Sequence, residues 1–504
     1  MDNADSIAED GLTRECAWQL PSYVTRVPTG AEKGKFLAVD LGGSNCRICL
    51  VDLHGDSTFT AVQVKHRVPA DVMVNPSYEP LFSFIAGKIS EFLKANSGSA
   101  REGFDDSPGH ELPYRLGFTF SFACEQTSLA RGTLIRWDKG WDIPEAVGRD
   151  PCEMLQEAID NLGLPVLVSV LANDSVGALL TRAYTSGQKG STLGAIIFGT
   201  GTNAAYVEKL SNIGRLSMEA SAGDTMVINT EWGCFDDEMQ VLPRTPYDDE
   251  LDKFSTDPGS QMFEKRVSGM YLGELLRLAI LRLLETGTLQ MKVDEESLVF
   301  RREGIDCSFL SRLADDKYND LQKAAKFVTD TVSAKNITLT EAQSIRLLAA
   351  AIVRRAARLA GAALAAIVIQ SGRLEVGHPS SKLDKTMVEV NKLGEPSTPF
   401  IDMLRKVFTS MGKSFLVLPQ RSCTLHGVTV DHIESDQGRD VIDIGADGSI
   451  IESFPIFEAC MRGAMREVPE IGHAGEKRIQ IGLIKDGSGI GAALMAQAAA
   501  QTEP

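Results

Sequence analysis

The sequence predicts an α/β protein built from two domains. Three observations predict it. At 504 residues the chain is too long for one ordinary hydrophobic core. Short apolar runs bounded by turn residues alternate with long stretches of helical periodicity. Two apolar–glycine–apolar segments, far apart in the chain, look like one device used twice.

The elements follow in order. Met1 to Asp10 is acidic and lacks the basic flank and apolar run of a secretory signal. Phe36 to Asp52 reads as a β-hairpin turning at Gly42-Gly43-Ser44-Asn45. Helical periodicity covers Leu81 to Lys94 and Pro151 to Leu162, with strands at Leu116 to Phe122 and Leu167 to Asp174. A helix over Val176 to Tyr184 follows Asn173-Asp174. Leu193 to Glu208 is the second hairpin, turning at Gly199-Thr200-Gly201-Thr202. Helices are expected over Gln261 to Glu285 and Thr340 to Gln370. The apolar stretch Ala356 to Ile369 contains Arg358 and follows Arg354 and Arg355, too short and too charged to span a bilayer. Gly377 to Arg439 fits neither pattern and reads as an insertion. Asp486-Gly487-Ser488-Gly489 opens a small-residue helix whose first amides and dipole suit an anion. The two hairpins have two readings: unrelated turns, or two glycine bends facing one polyphosphate from both sides.

The composition, 43% hydrophobic, 24% charged and 7% aromatic, is that of a globular protein. A net charge of −17 argues against a nucleic-acid or anionic-membrane partner. It does not exclude a nucleotide, whose phosphates are held by local amides and magnesium. The nine cysteines are odd in number and scattered, which fits a reducing compartment and makes the cytoplasm the expected location. Cys46 and Cys49 have C-x-x-C spacing but lie on a strand, where odd spacing sends the side chains to opposite faces. Neither redox nor zinc chemistry is expected of them.

Phosphoryl transfer to an alcohol needs a carboxylate for the hydroxyl proton, magnesium on the phosphates, and donors facing the developing charge. The chain has no G-x-x-x-x-G-K-[ST] sequence, and no G-x-G-x-x-G with protein-kinase partners, so the glycine hairpins are the remaining phosphate cradle.

The run LGFTFSFACEQTSLARGTLIRWDKGW, from Leu116 to Trp141, closely resembles the signature of the eukaryotic hexokinase–glucokinase family. Asn173-Asp174, Gly199 to Asn203, Asn229 to Phe235 (NTEWGCF) and Pro258 to Glu274 (PGSQMFEKRVSGMYLGE) match further family motifs in the same order. Asp447-Gly448-Ser449 and Asp486 to Gly489 match its adenosine-side motifs. The resemblance runs from about Phe36 to Ala499, the insertion excepted.

It implies two RNase-H-like, actin-like ATPase domains with mixed sheets flanking an interdomain cleft. The small domain would be residues 1–208, with the helix 487–500 packing back on it, and the large domain 209–486, carrying the insertion at 377–439. The implied reaction is transfer of the ATP γ-phosphate to the 6-hydroxyl of a hexose, with ATP and Mg2+ required and a monomer or homodimer as the working form. Asp174 would be the general base, a residue that alone would read as a helix cap. Lys139 would hold the sugar and balance developing charge. Ser121, Asn173, Asn203, Glu231, Gln261 and Glu264 would fix the remaining hydroxyls. Asp40 would hold magnesium through water. Gly42, Gly43, Ser44, Asn45 and Arg47 would form the first phosphate turn and Gly199, Thr200, Gly201 and Thr202 the second. Asp447, Gly448, Ser449, Gly487 and Ser488 would flank the adenosine.

The chain departs from the family at Asp138, where Thr is usual, and at Ala123, where Pro is usual; Trp141 for Phe and Ser44 for Thr are milder changes. Asp138 has two readings: a partner for Lys139 or for a differently substituted sugar, or a plain replacement for the Thr as hydroxyl acceptor. The sugar stays open between glucose, a related hexose and N-acetylglucosamine. A catalytically silent, sugar-sensing homologue is the alternative of another class, against which stand the retained Asp40, Gly42, Gly43, Lys139, Asp174 and Gly199 to Thr202. The insertion is either a lineage-specific loop or an incorrectly translated gene segment.

Overall fold

The computed structural model describes residues 18–96, 113–137, 140–187, 192–214, 216, 224–314, 320–374, 441–454 and 456–502. Asp138, Lys139 and the insertion at 377–439 lie outside the described residues.

Strand β1 (Leu20–Pro21) belongs to the second of two main sheets. β2 (Lys33–Gly42), β3 (Asn45–His54) and β4 (Phe59–Arg67) form an antiparallel meander, extended by parallel β5 (Tyr114–Phe120). A hairpin of β6 (Cys124–Ser128) and β7 (Arg131–Leu134) precedes β8 (Val166–Ala172), which adds in parallel to give the order β4-β3-β2-β5-β8. The second sheet repeats the plan. β9 (Thr192–Phe198), β10 (Thr202–Lys209) and β11 (Thr225–Asn229) make an antiparallel meander. After a short pair, β12 (Lys292–Val293) with β13 (Ala334–Lys335), parallel β14 (Ile442–Asp447) and β15 (Ile479–Leu483) complete the order β1-β11-β10-β9-β14-β15. Each sheet is therefore a meander followed by two parallel strands, and the two glycine turns occupy equivalent corners, β2–β3 and β9–β10.

The sheets divide the chain differently from the expected boundary at residue 208. β9 pairs in parallel with β14, Ala195 opposite Gly445, and has no partner in the first sheet. The division therefore falls between helix Asp174–Thr185 and β9. Helix Gly487–Thr502 lies against β2, β5, β8 and helix Asp174–Thr185. Small residues permit the approach: a Cβ on Gly117 would stand 2.2 Å from the Ala492 carbonyl oxygen, and one on Gly491 would stand 2.1 Å from Gly177 Cα.

The second domain packs around helix Leu339–Gln370, which begins in a capping box between Thr338 and Glu341. Its stretch from Ala356 to Val368 is buried except for Arg358, which pairs with Glu467 at 2.6 Å. Leu359, Leu364 and Ile367 are fully buried there, each contributing about 1.5–3 kcal/mol of hydrophobic stabilisation. Among the described residues no helix is long and apolar enough to cross a membrane.

Cys46 and Cys49 do face opposite sides of β3. Cys46 packs with Leu81 and Phe82, Cys49 with Ile490 and Ala493 of the last helix. Burial pushes both thiols up to about 12.

The helix expected over Gln261 to Glu285 is broken. Glu264–Val267 forms one turn, Ser268 is extended (φ −89°, ψ 155°), and the helix resumes at Gly269–Glu285. The break lets the first amides of the second helix, Gly269 and Met270, donate to the carbonyls of Gly199 and Thr200 at 2.8 and 3.1 Å. Free helix-start donors thus brace the second glycine turn, a tertiary demand that helical periodicity does not register.

Candidate functional site

The turn between β2 and β3 needs a left-handed residue, supplied by Gly43 (φ 56°). The turn between β9 and β10 closes through Gly199, whose amide donates to the Gly201 carbonyl at 2.9 Å. Both turns open onto one cavity of about 510 Å3 between the domains. Asp40, Gly42, Gly43, Ser44, Asn45 and Arg47 line it from the first turn, and Gly199, Thr200, Gly201 and Thr202 from the second. Ser121, Asn173, Asp174, Asn203, Glu231, Gln261, Glu264, Asp447 and Ser488 complete the set of expected residues that line it. The geometry thus brings the two turns together around one space.

One end of the cavity is a ring of amides and carboxylates. Asn203 Nδ2 donates to Asn173 Oδ1 at 3.1 Å and to Asn229 Oδ1 at 2.9 Å, while Asn229 Nδ2 donates to Glu231 Oε1 at 2.8 Å. Glu231 and Gln261 both have left-handed backbones, φ 48° and 58°. Non-glycine residues held there cost of order 1 kcal/mol or more and cluster at binding sites. Asp174 is the first residue of helix Asp174–Thr185, but the cap is Asn173, whose Oδ1 accepts from the Ser175 amide at 3.0 Å. Asp174 Oδ1 accepts from the same amide at 2.8 Å. Asp174 thus lines the cavity from the start of this helix, beside both the ring and the turns.

A family model described as hexokinase matches residues 2–184, and a second, also described as hexokinase, matches residues 193–498. The chain belongs to the hexokinase family. The junction between the two matched regions coincides with the division between the sheets. A glucokinase of Aspergillus niger is 42% identical over 518 residues, covering 98% of this chain and 92% of its own length. Glucokinase-1 of Saccharomyces cerevisiae is 35% identical, covering 95% of this chain and 87% of its own. Among solved structures, a hexokinase from Schistosoma mansoni complexed with glucose superposes with a TM-score of 0.71 at 29% identity, covering 96% of this chain and 89% of its own. These relatives make the chain an ATP-dependent hexose kinase, a phosphotransferase with an alcohol acceptor.

At the first glycine turn of this hexokinase, Ser488 Oγ donates to Asp40 Oδ2 at 2.7 Å, which joins the last helix to the turn. Arg47 forms an ion pair with Asp486 at 3.1 Å across the same seam while still lining the cavity. Burial raises Asp447 to about 6, assisted by the nearby carboxylates of Glu452, Asp174 and Asp486 and opposed by the Gly448 amide. Gly448, Ser449 and Gly487, expected beside the adenosine, are not among the lining residues. Gly448 (φ 106°) presses against Phe198, where a Cβ would stand 2.4 Å from the carbonyl carbon. The Gly487 carbonyl accepts from Thr181 Oγ1 at 2.8 Å and fixes the last helix to helix Asp174–Thr185. Among the described residues no group of three His, Cys, Asp or Glu side chains forms a metal cage. Magnesium fits a site of this kind, because it keeps waters and takes one or two carboxylates together with substrate phosphates. Asp40, which accepts from Ser488 Oγ on the cavity wall, would be one such carboxylate.

Sequence reasoning missed several members of the hexokinase site. Asn229 ties Asn203 to Glu231, and it stands in the quoted NTEWGCF motif, where its residue type was the available signal. Lys65 lines the cavity from β4, directly opposite Arg47, a placement that only the β3–β4 register reveals. Asp237 Oδ1 accepts from the Met262 amide at 2.9 Å and supports the Gln261 turn from below.

Proposed function

We propose that this enzyme transfers the γ-phosphoryl group of ATP to the 6-hydroxyl of glucose, with Asp174 as the general base. The observation that carries the reading is the position of Asp174, on the wall of one cavity shared by the hydroxyl-binding ring and both glycine turns. Asn173, Asn203, Glu231, Gln261 and Glu264 hold the sugar hydroxyls, and the hydrogen bonds among Asn173, Asn203, Asn229 and Glu231 set which amide face and which carboxylate oxygen a hydroxyl meets there. That fixes the 6-hydroxyl toward Asp174, which takes its proton as the oxygen attacks phosphorus. The new oxygen–phosphorus bond forms as the bond to the bridging oxygen of ADP breaks. Amides of the two turns, with Arg47 and Lys65, face the phosphate oxygens and stabilise the charge that spreads over them. Magnesium, when bound, supplies charge neutralisation across the phosphates. Asp40, held by Ser488, would hold it through water. Ser121 and Lys139 contribute from the first domain, so closure of the cleft completes the site and excludes water. A cytoplasmic setting belongs to the same reading, supported by free thiols at the described cysteines.

A coupled assay of ADP release with glucose, mannose, fructose and N-acetylglucosamine tests it. Glucose-dependent turnover is expected. Turnover on N-acetylglucosamine alone would replace the sugar, and sugar binding without turnover on any of the four would make the chain a sensor.

A further inference from the structure

Arg136 lies in the first domain, between β7 and Trp137. Its backbone is anchored on a platform in which Trp137 stacks on Trp141 with centroids 5.5 Å apart, packs edge-on to Phe120 and Phe122, and donates its indole N–H to the Ile143 carbonyl at 2.8 Å. From that platform the guanidinium crosses to the second domain, where Nη2 donates to Cys234 Sγ at 3.0 Å. Cys234 follows Glu231 in the short turn Trp232–Cys234. Its thiol is a weak acceptor, held neutral because burial pushes it far above the ordinary thiol range. Asp237, three residues further along the same segment, is a carboxylate that feels the Arg136 charge through space.

Asp237 carries the Gln261 turn. Its carboxylate accepts from the Met262 amide at 2.9 Å, the Gln261 amide is a further donor to it, and Ser260 Oγ approaches the other oxygen at 3.5 Å. Gln261 needs such a support because its backbone is left-handed (φ 58°). Burial raises Asp237 to about 6, and the two amides, Arg136 and Lys265 all pull against that rise. Lys265 belongs to the same domain as Asp237 and is already engaged with Asp252 at 2.6 Å, so it stays in place whatever the first domain does. Arg136 is on the other domain, so its help depends on where that domain stands.

We propose that Arg136 is an interdomain positioning residue, which by docking on the Cys234–Asp237 segment holds the Gln261 turn in its sugar-binding geometry only when the two domains meet. The inference rests on the hexose site described under Proposed function. It makes acceptor affinity, rather than the chemical step, depend on a side chain that need not touch the sugar. A cation at this position stabilises the closed arrangement by a charge-assisted contact, and the same contact readies Gln261 for a hydroxyl.

The test measures glucose affinity by titration calorimetry alongside steady-state kinetics, for wild type, Arg136→Ala, Arg136→Lys, Asp237→Asn and the double variant Arg136→Ala/Asp237→Asn. Arg136→Ala is expected to weaken glucose binding and raise the glucose KM by about tenfold, with kcat changed by less than about threefold and the unfolding midpoint retained. Arg136→Lys recovers most of the affinity. Once Asp237 is neutral, removing Arg136 costs little more, so the double variant matches Asp237→Asn. Unchanged glucose affinity in Arg136→Ala overturns the inference. So does an equal loss in both Asp237 backgrounds, which would mean that Arg136 acts on its own loop. Glucose binding without turnover in the wild type would sink the proposed reaction yet leave this comparison readable.

Discussion

The Thr202 amide donates to Glu264 Oε2 at 2.8 Å, so a carboxylate on the cavity wall also holds the second glycine turn. The same oxygen stands 2.8 Å from where a Cβ on Gly201 would lie. Gly201→Ala is therefore expected to displace Glu264 and disturb both substrates at once, lowering kcat/KM by about 10- to 100-fold with both KM values raised. Glu264→Gln keeps an acceptor for the amide and should fold normally. Glu264→Ala strands that amide and should cost about 1–3 kcal/mol of stability. Initial rates at varied glucose and ATP, with denaturant melts, separate these outcomes.

Asp174→Ala is expected to lower kcat by about a thousandfold or more, because a base and a positioning group leave together. Glucose binding and thermal stability should persist, since Asn173 remains as the helix cap. Turnover close to wild type in a single-turnover assay would remove Asp174 from the role.

Asp447 gives a pH signature. Its folded pKa of about 6 lies above the ordinary aspartate value of about 3.9, so the folded chain binds this proton more tightly than the unfolded chain does. Stability from this group is therefore lost as pH rises from about 4 through 6, and the ionised form is a standing cost above that. Asp447→Asn should stabilise the protein by about 1–2 kcal/mol at pH 8, allowing for partial exposure, and by nothing measurable at pH 4. Chemical denaturation at the two pH values checks it.

Asp138→Thr tests the main departure from the family. If the carboxylate selects among sugars, the ratios of kcat/KM for glucose, mannose and N-acetylglucosamine should shift by about tenfold. Identical ratios would make Asp138 a plain hydroxyl acceptor.

Local pattern carried much of this fold into view. Both glycine hairpins, the helix at Glu79–Ala95 and the long helix at Leu339–Gln370 stand close to where periodicity and turn chemistry put them, the largest offset being the start of the first hairpin at Lys33 against Phe36. What failed was non-local. β9 joins the second sheet through β14, at Ile442–Asp447, a pairing too remote in the chain for local pattern to register. The helix across 261–285 broke at Ser268 because Gly269 and Met270 brace a distant turn. Family motifs marked most of the residues facing the cavity; Arg136 sits inside the Leu116–Trp141 run without a role attached to it, and Asp237 lies two residues past the NTEWGCF motif.

The route of the backbone has a last consequence. β1 lies in one lobe, the next seven strands serve the other lobe, β9 returns, and the closing helix crosses back to cover β2, β5 and β8. Neither lobe is a module that a single cut would release. Shortening the chain at its C-terminal end would strip an apolar roof from the opposite half of the molecule, and a nick at the sheet division would leave two pieces still strapped together.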